Sequence, residues 1–76
     1  MVRAYILIEM VAGRSRELVD ALEGRPQVRD VARVTGPYDI IIVLEAEDVD
    51  SISETVADQI HSRAGVLRTT TCVSLG

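Results

Sequence analysis

The sequence predicts an α+β fold in which two helices cover one face of a four-stranded antiparallel sheet. Two segments are apolar at both sets of alternating positions, which indicates strands that are covered on both faces. Two other segments repeat apolar residues at helical spacing. The elements follow the order strand, helix, strand, strand, helix, strand. With 76 residues, the chain is predicted to be one domain that spans residues 1–76.

The first half of the chain predicts a strand, a helix and a second strand. Arg3–Val11 is typical of a strand because apolar residues occupy most positions on both of its faces. Arg14–Glu23 is predicted to be a helix, and its apolar stripe consists of Leu18, Ala21 and Leu22. Val28–Thr35 is a more polar strand, and its arginines and aspartate suit the edge of a sheet.

The second half begins with the turn Gly36-Pro37-Tyr38-Asp39, which leads into the aliphatic strand Ile40–Leu44. The strands on either side of this turn are therefore predicted to be antiparallel neighbours. The chain ends with the fourth predicted strand, the β-branched stretch Val66–Leu75.

The helix between these last two strands has an acidic start. Asp48 or Asp50 can cap it, and Ser51 with Glu54 also matches a capping box, so the first residue stays open. Gly65 ends the helical pattern. The apolar stripe predicted to face the sheet consists of Val49, Ile52, Val56 and Ile60.

Two βαβ halves of this length interleave into a ferredoxin-like sandwich. Right-handed crossovers place both helices on the same face of the sheet, so the other face lacks a cover of its own. A large exposed aliphatic patch usually marks an interface, and we expect a two-fold dimer with the sheets packed face to face. The alternative is a monomer whose open face carries smaller or polar residues.

Composition excludes several classes of function. The net charge of −4 argues against nucleic acid as a direct partner, and the apolar runs are too short to cross a bilayer. No signal peptide is evident, so we expect a cytoplasmic protein. The lone Cys72 rules out an intramolecular disulfide and is expected to be a small buried strand residue. His61 is expected to be a cation at a helix C-terminus, Asp48 and Asp50 are expected to be caps, and neither a metal nor a cofactor is predicted.

The order of elements, the turn Gly36–Asp39 before an aliphatic strand and the threonine-rich last strand resemble the effector-binding domain of the Lrp/AsnC regulators. The resemblance spans essentially the whole chain. Members of that family usually carry an N-terminal helix-turn-helix domain, whereas here the effector-like part begins at Met1. The resemblance therefore implies a stand-alone effector module without a DNA-binding domain, whose dimers assemble further, often into rings.

The resemblance also implies that a small amino acid binds between neighbouring dimers, beside the loop Gly36, Pro37, Tyr38 and Asp39. Asp39 is expected to bind the ligand's ammonium group through a charge-assisted hydrogen bond. Gly36 would let the backbone approach the ligand, and Tyr38 would form a wall of the pocket.

A neighbouring subunit is expected to contribute the start of its last strand to this site. Thr69 and Thr71 on one face of that strand, or Thr70 on the other, are the hydroxyl donors for the ligand's carboxylate. Met10, near the end of the first strand, is expected to line the pocket for the ligand's side chain.

The leading functional prediction is a non-enzymatic, amino-acid-sensing oligomer that modulates full-length regulators by mixed assembly. One alternative is a small dimeric enzyme of the cofactor-free monooxygenase or isomerase type, for which His61 and two tyrosines are the available material. Another is a purely structural oligomerisation module. On that interpretation Gly36–Asp39 is a turn and Thr69–Thr71 is ordinary strand composition.

Overall fold

The computed structural model describes all 76 residues and confirms the ferredoxin-like fold. One antiparallel sheet, in the order β2-β3-β1-β4, is formed by β1 (Val2–Met10), β2 (Val28–Arg33), β3 (Ile40–Ala46) and β4 (Val66–Val73). The two crossovers contain α1 (Ser15–Leu22), α2 (Val49–Thr55) and, directly after α2, a π-helical segment (Val56–His61). The predicted element bounds differ from these by one or two residues at most ends.

One face of the sheet and both helical crossovers form the hydrophobic core. Alternate residues of the two central strands are buried on this face, and they are Ala4, Ile6, Ile8, Met10, Ile40, Ile42, Leu44 and Ala46. The helical residues that pack against them are Leu18, Leu22, Ile52, Val56 and Ile60. The chain's own helices therefore cover one face of the sheet, as the two-sided apolar strands and the right-handed crossovers predict.

The start of α2 settles the choice between the possible caps. The Asp48 carboxylate accepts a hydrogen bond from the Ser51 backbone N–H at 2.8 Å, so Asp48 is the N-cap. The pKa of the Asp48 carboxyl is lowered mainly by this hydrogen bond from the Ser51 backbone and, to a smaller extent, by the Ser51 side chain. Val49, which immediately follows the cap, is 48% exposed, so its predicted place in the buried stripe is wrong. Thr55 is buried instead, with its hydroxyl bonded to the side chain of Gln27.

The opposite face of the sheet, here called the open face, has no helix over it. Strand pairing places Tyr5 opposite Val43 and Leu7 opposite Ile41 at its centre. These side chains are half-buried or exposed, with Tyr5 39% exposed. Cys72 lies opposite Tyr5 and is exposed, so the prediction that it is buried is wrong for the single chain. Cys72 is exposed because its position in the strand points its side chain to the open face, away from the helices.

A cluster of three charged residues closes one end of the open face. Glu45 accepts hydrogen bonds from Arg29 Nε at 2.8 Å and from Arg3 Nη2 at 2.6 Å. These two guanidinium groups, Arg29 above all, lower the pKa of the Glu45 carboxyl. Arg29 belongs to β2, which occupies the predicted edge position and carries a register shift between Val28 and Asp30. Such irregularity and charge discourage pairing with another strand at this edge.

Candidate ligand-binding site

The loop between β2 and β3 is held in place by backbone hydrogen bonds on both of its sides. Val34 donates its N–H to the Asp39 carbonyl at 2.9 Å, and Asp39 donates its own N–H to the Ile8 carbonyl at 2.8 Å. Between these anchors, Gly36 has a φ of +120°, which side chains rarely allow. The loop is therefore fixed to the ends of three strands, β1, β2 and β3.

Asp39 has a structural contact that the sequence did not predict. One carboxylate oxygen, Oδ2, accepts the Met10 backbone N–H at 2.8 Å, at the point where pairing between β1 and β3 ends. The other oxygen, Oδ1, accepts no hydrogen bond from the protein. A carboxylate can accept several hydrogen bonds, so Asp39 can stabilise the loop and still bind a donor on a ligand.

A surface depression lies beside this half-bonded carboxylate. Its lining residues are Ser15, Arg33, Val34, Thr35 and Asp39. Of the other predicted loop residues, Tyr38 is half-buried next to Asp39, whereas Gly36 and Pro37 are exposed at the tip of the loop. The depression has charged groups of both signs, a carboxylate on one strand end and a guanidinium on its neighbour.

Met10 touches the loop through its backbone and the core through its side chain. It is only 7% exposed and belongs to the hydrophobic cluster. Gly65 lies close by, with a φ of +90°, and a side chain there would meet Arg14 Cβ at 3.2 Å and Met10 Cε at 3.6 Å. The structure thus packs the predicted pocket residue against the interior beside the loop.

The three threonines lie on the other side of β1. Thr69 pairs with Ile8 and Thr71 with Ile6 on the helical face, whereas Thr70 pairs with Leu7 on the open face. Two inter-strand spacings separate β4 from β3, so Thr69 and the loop are about 10 Å apart across the sheet. Within one protomer, the loop and the threonines therefore do not line one pocket.

Thr69 has one side-chain neighbour of its own. Its hydroxyl lies 3.4 Å from Nδ1 of His61, the last residue of the π-helical segment. This contact places His61 at the C-terminal end of the second helical crossover, as predicted, and joins that end to β4. No group of three or more His, Cys, Asp or Glu side chains that could hold a metal ion occurs in the structure.

Four of the five residues that line the depression were not predicted as site residues, and two of them, Ser15 and Arg33, have polar side chains of interest. Arg33 was interpreted only as a charge that protects the edge strand. Its position relative to Asp39 is nevertheless implied by the hairpin, because a turn over Gly36–Asp39 pairs Arg33 with Ile40. Ser15 could not be found in this way, since it comes from the crossover packed above the sheet.

Comparison with known proteins identifies the family. The sequence profile described as the Lrp/AsnC ligand binding domain matches residues 3–76, so the chain belongs to that family. The HTH-type transcriptional regulator FL11 of Pyrococcus furiosus is 29% identical over 72 residues, which cover 95% of this chain. The chain spans 47% of the length of that relative.

Solved structures give the same classification for the fold. The crystal structure of TTHA0845 from Thermus thermophilus has a TM-score of 0.93 and 36% identity, covering 100% of this chain and 95% of its own. The regulator NMB0573 of Neisseria meningitidis, solved as a complex with L-Met, has a TM-score of 0.87 over 99% of this chain and 50% of its own. At 22% sequence identity, this likeness shows that the two proteins share a fold. No helix here is long and apolar enough to span a membrane.

Proposed function

We propose that this domain, residues 1–76, is a non-enzymatic sensor that binds a small amino acid. The observation that carries the proposal is the Asp39 carboxylate, which is anchored through Oδ2 and has Oδ1 free beside a surface depression. An ammonium group is a suitable partner for that oxygen because charge-assisted hydrogen bonds are the stronger kind. Membership of a ligand-binding family and the L-Met complex of a protein with the same fold support an amino acid as the ligand.

The site is completed between subunits in this proposal. Gly36 brings backbone close to the ligand, Pro37 stiffens the loop and Tyr38 covers one side. The hydroxyls of Thr69, Thr70 or Thr71 come from a neighbouring subunit, since in one chain β1 lies between them and the loop. Met10 backs the pocket from the core side.

The proposed dimer is formed by the open faces of two sheets. Tyr5, Leu7, Ile41 and Val43 form its apolar centre, and burial of their remaining exposed surface contributes part of the roughly 1.5–3 kcal/mol that complete burial of such a side chain gives. This gain is large beside the roughly 3–5 kcal/mol that the core of so small a domain supplies. Dimers then assemble further into a ring, and mixed assembly with full-length regulators of the family would convey the ligand signal.

A thermal-shift screen against the twenty common L-amino acids tests the proposal. A ligand that binds only the folded state must raise the Tm. We expect at least one amino acid to do so at millimolar concentration. The variant Asp39→Asn retains an oxygen for the Met10 N–H but loses the charge, so it should fold normally and lose the shift. Absence of any shift in the wild type would contradict amino-acid sensing.

A further inference from the structure

The arginines of this chain differ in whether their side chains have a hydrogen-bond or ion-pair partner within the protein. Six of the eight make a hydrogen bond or an ion pair with another residue, and these are Arg3, Arg14, Arg25, Arg29, Arg63 and Arg68. The remaining two, Arg16 and Arg33, make neither. A guanidinium without a protein partner keeps all five of its N–H donors for a ligand.

Only one of these two free arginines lies at the candidate site. Arg33 ends β2, pairs with Ile40 and lines the depression with Asp39, whereas Arg16 is exposed on α1 and does not line it. The backbone bond from Val34 to Asp39 fixes the two strand ends next to each other. No ion pair within 4.0 Å joins Arg33 to Asp39, so neither charge neutralises the other by direct contact.

We infer that Arg33 is the anion-binding residue of this site, so that a single protomer binds both charged groups of a zwitterionic α-amino acid. Asp39 Oδ1 accepts from the ammonium group, and the Arg33 guanidinium donates to the α-carboxylate. The inference rests on the proposed function and deepens it. Its consequence is a preference for one ligand class, molecules that carry a free amine and a free carboxylate on the same carbon, over amines and amino alcohols.

The geometry of the guanidinium favours this role over that of the threonine hydroxyls alone. A hydroxyl orients a carboxylate without neutralising it, whereas a planar guanidinium can donate two parallel bonds to both of its oxygens. The hydroxyls of Thr69–Thr71 then orient a group whose charge Arg33 has already balanced. Ser15 at the start of α1 supplies a further hydroxyl on the rim of the same depression.

The test compares two protein variants with the wild type, and it measures binding of each amino acid and of the corresponding amino alcohol. Titration calorimetry would measure the Kd of every amino acid found in the thermal-shift screen, together with the amino alcohol that has the same side chain. The proteins are the wild type, Arg33→Gln and the matched control Arg16→Gln, which removes an equally free charge outside the depression. All three should have the same circular dichroism spectrum, because neither arginine side chain makes a hydrogen bond or an ion pair within the protomer.

Arg33→Gln should weaken binding of the amino acid by about tenfold or more, the usual effect of losing a hydrogen bond to a charged group. Arg16→Gln should leave the Kd within about twofold, since only screened long-range attraction is lost. The amino alcohol should bind the wild type and Arg33→Gln equally, because its missing carboxylate leaves Arg33 nothing to recognise. Arg33→Lys should recover part of the affinity by restoring the charge.

An unchanged Kd in Arg33→Gln, or an equal loss in Arg16→Gln, would overturn the role of Arg33 and leave amino-acid sensing intact. A loss of equal size for the amino acid and its amino alcohol would also overturn it, because the effect would then not involve the carboxylate. Failure of the wild type to bind any of the twenty amino acids would instead overturn the proposed function, and the role of Arg33 with it.

Discussion

The two faces of the sheet are built from neighbouring residues of the same strands, yet they have different chemistry. On the helical face, Ile6, Ile8, Ile40 and Ile42 are all 0% exposed and contain no polar atom in their side chains. On the open face, an apolar centre is bounded by the charged cluster of Arg3, Glu45 and Arg29. The helical face thus resembles a finished core, whereas the open face has the apolar centre and polar rim of an interface.

The same comparison explains why the open face cannot serve as a second core within one chain. Both crossovers are already used on the helical face, and the π-helical segment ends at His61 beside β4. Nothing in the remaining loops is long enough to cover an area that reaches across four strands. A second copy of the chain has a face of the same size and charge pattern, and we propose that it covers the open face through a two-fold axis.

The largest expected effect comes from a substitution in the helical face. Ile42→Ala should lower the free energy of unfolding by about 2–5 kcal/mol, because it leaves a cavity among fully buried side chains. Chemical denaturation measured by circular dichroism would show this loss at every protein concentration. The control is Ile41→Ala, one residue away on the open face, whose effect should shrink as the protein is diluted towards the monomer, because a contact between subunits stabilises only the associated chain. An Ile41→Ala loss independent of concentration would contradict the distinction between the faces.

A smaller effect is expected at the charged rim of the open face. Glu45 has a pKa below its ordinary value of 4.5, so the unfolded chain binds the proton more readily than the folded one. Its contribution to stability is therefore complete above about pH 4.5 and is lost as the pH falls through the folded-state pKa. Glu45→Gln should flatten the dependence of the unfolding free energy on pH in this acidic window.

Glu47→Gln is the matched control for that measurement. Glu47 is exposed, lies two residues further along and makes no ion pair. The unfolding free energy of the Glu47→Gln variant should depend on pH in the same way as that of the wild type. Equal flattening in both variants would mean that the contacts with Arg29 and Arg3 do not determine the acid response.

Most of the fold could be predicted because local patterns in this sequence agree with the tertiary structure. The apolar runs of β1 and β3, the stripe of α1 and the turn at Gly36 each specify their element without help from distant residues. The predictions that Val49 and Cys72 are buried were wrong for the same reason. Helical spacing and strand composition describe which residues share a face, but they do not show how far the neighbouring element extends or which face it covers.

The candidate site could be predicted only in part, for a similar reason. The loop Gly36–Asp39 is continuous in sequence and was found, whereas the bond from Met10 N–H to Asp39 joins residues 29 positions apart. The convergence of Ser15, Arg33 and Asp39 depends on how α1 packs over the ends of two strands. Such contacts follow from the three-dimensional arrangement, and no spacing rule in the chain marks them in advance.

The mass of the folded wild-type chain in dilute solution tests the central claim most directly. Light scattering coupled to size exclusion at micromolar concentration should give an even multiple of the 8.3 kDa protomer, because we propose that a second copy covers the open face. Ile41→Asp should shift that mass towards one protomer by placing a charge at the centre of the contact. A wild-type chain that is folded by circular dichroism and elutes at 8.3 kDa would contradict the account.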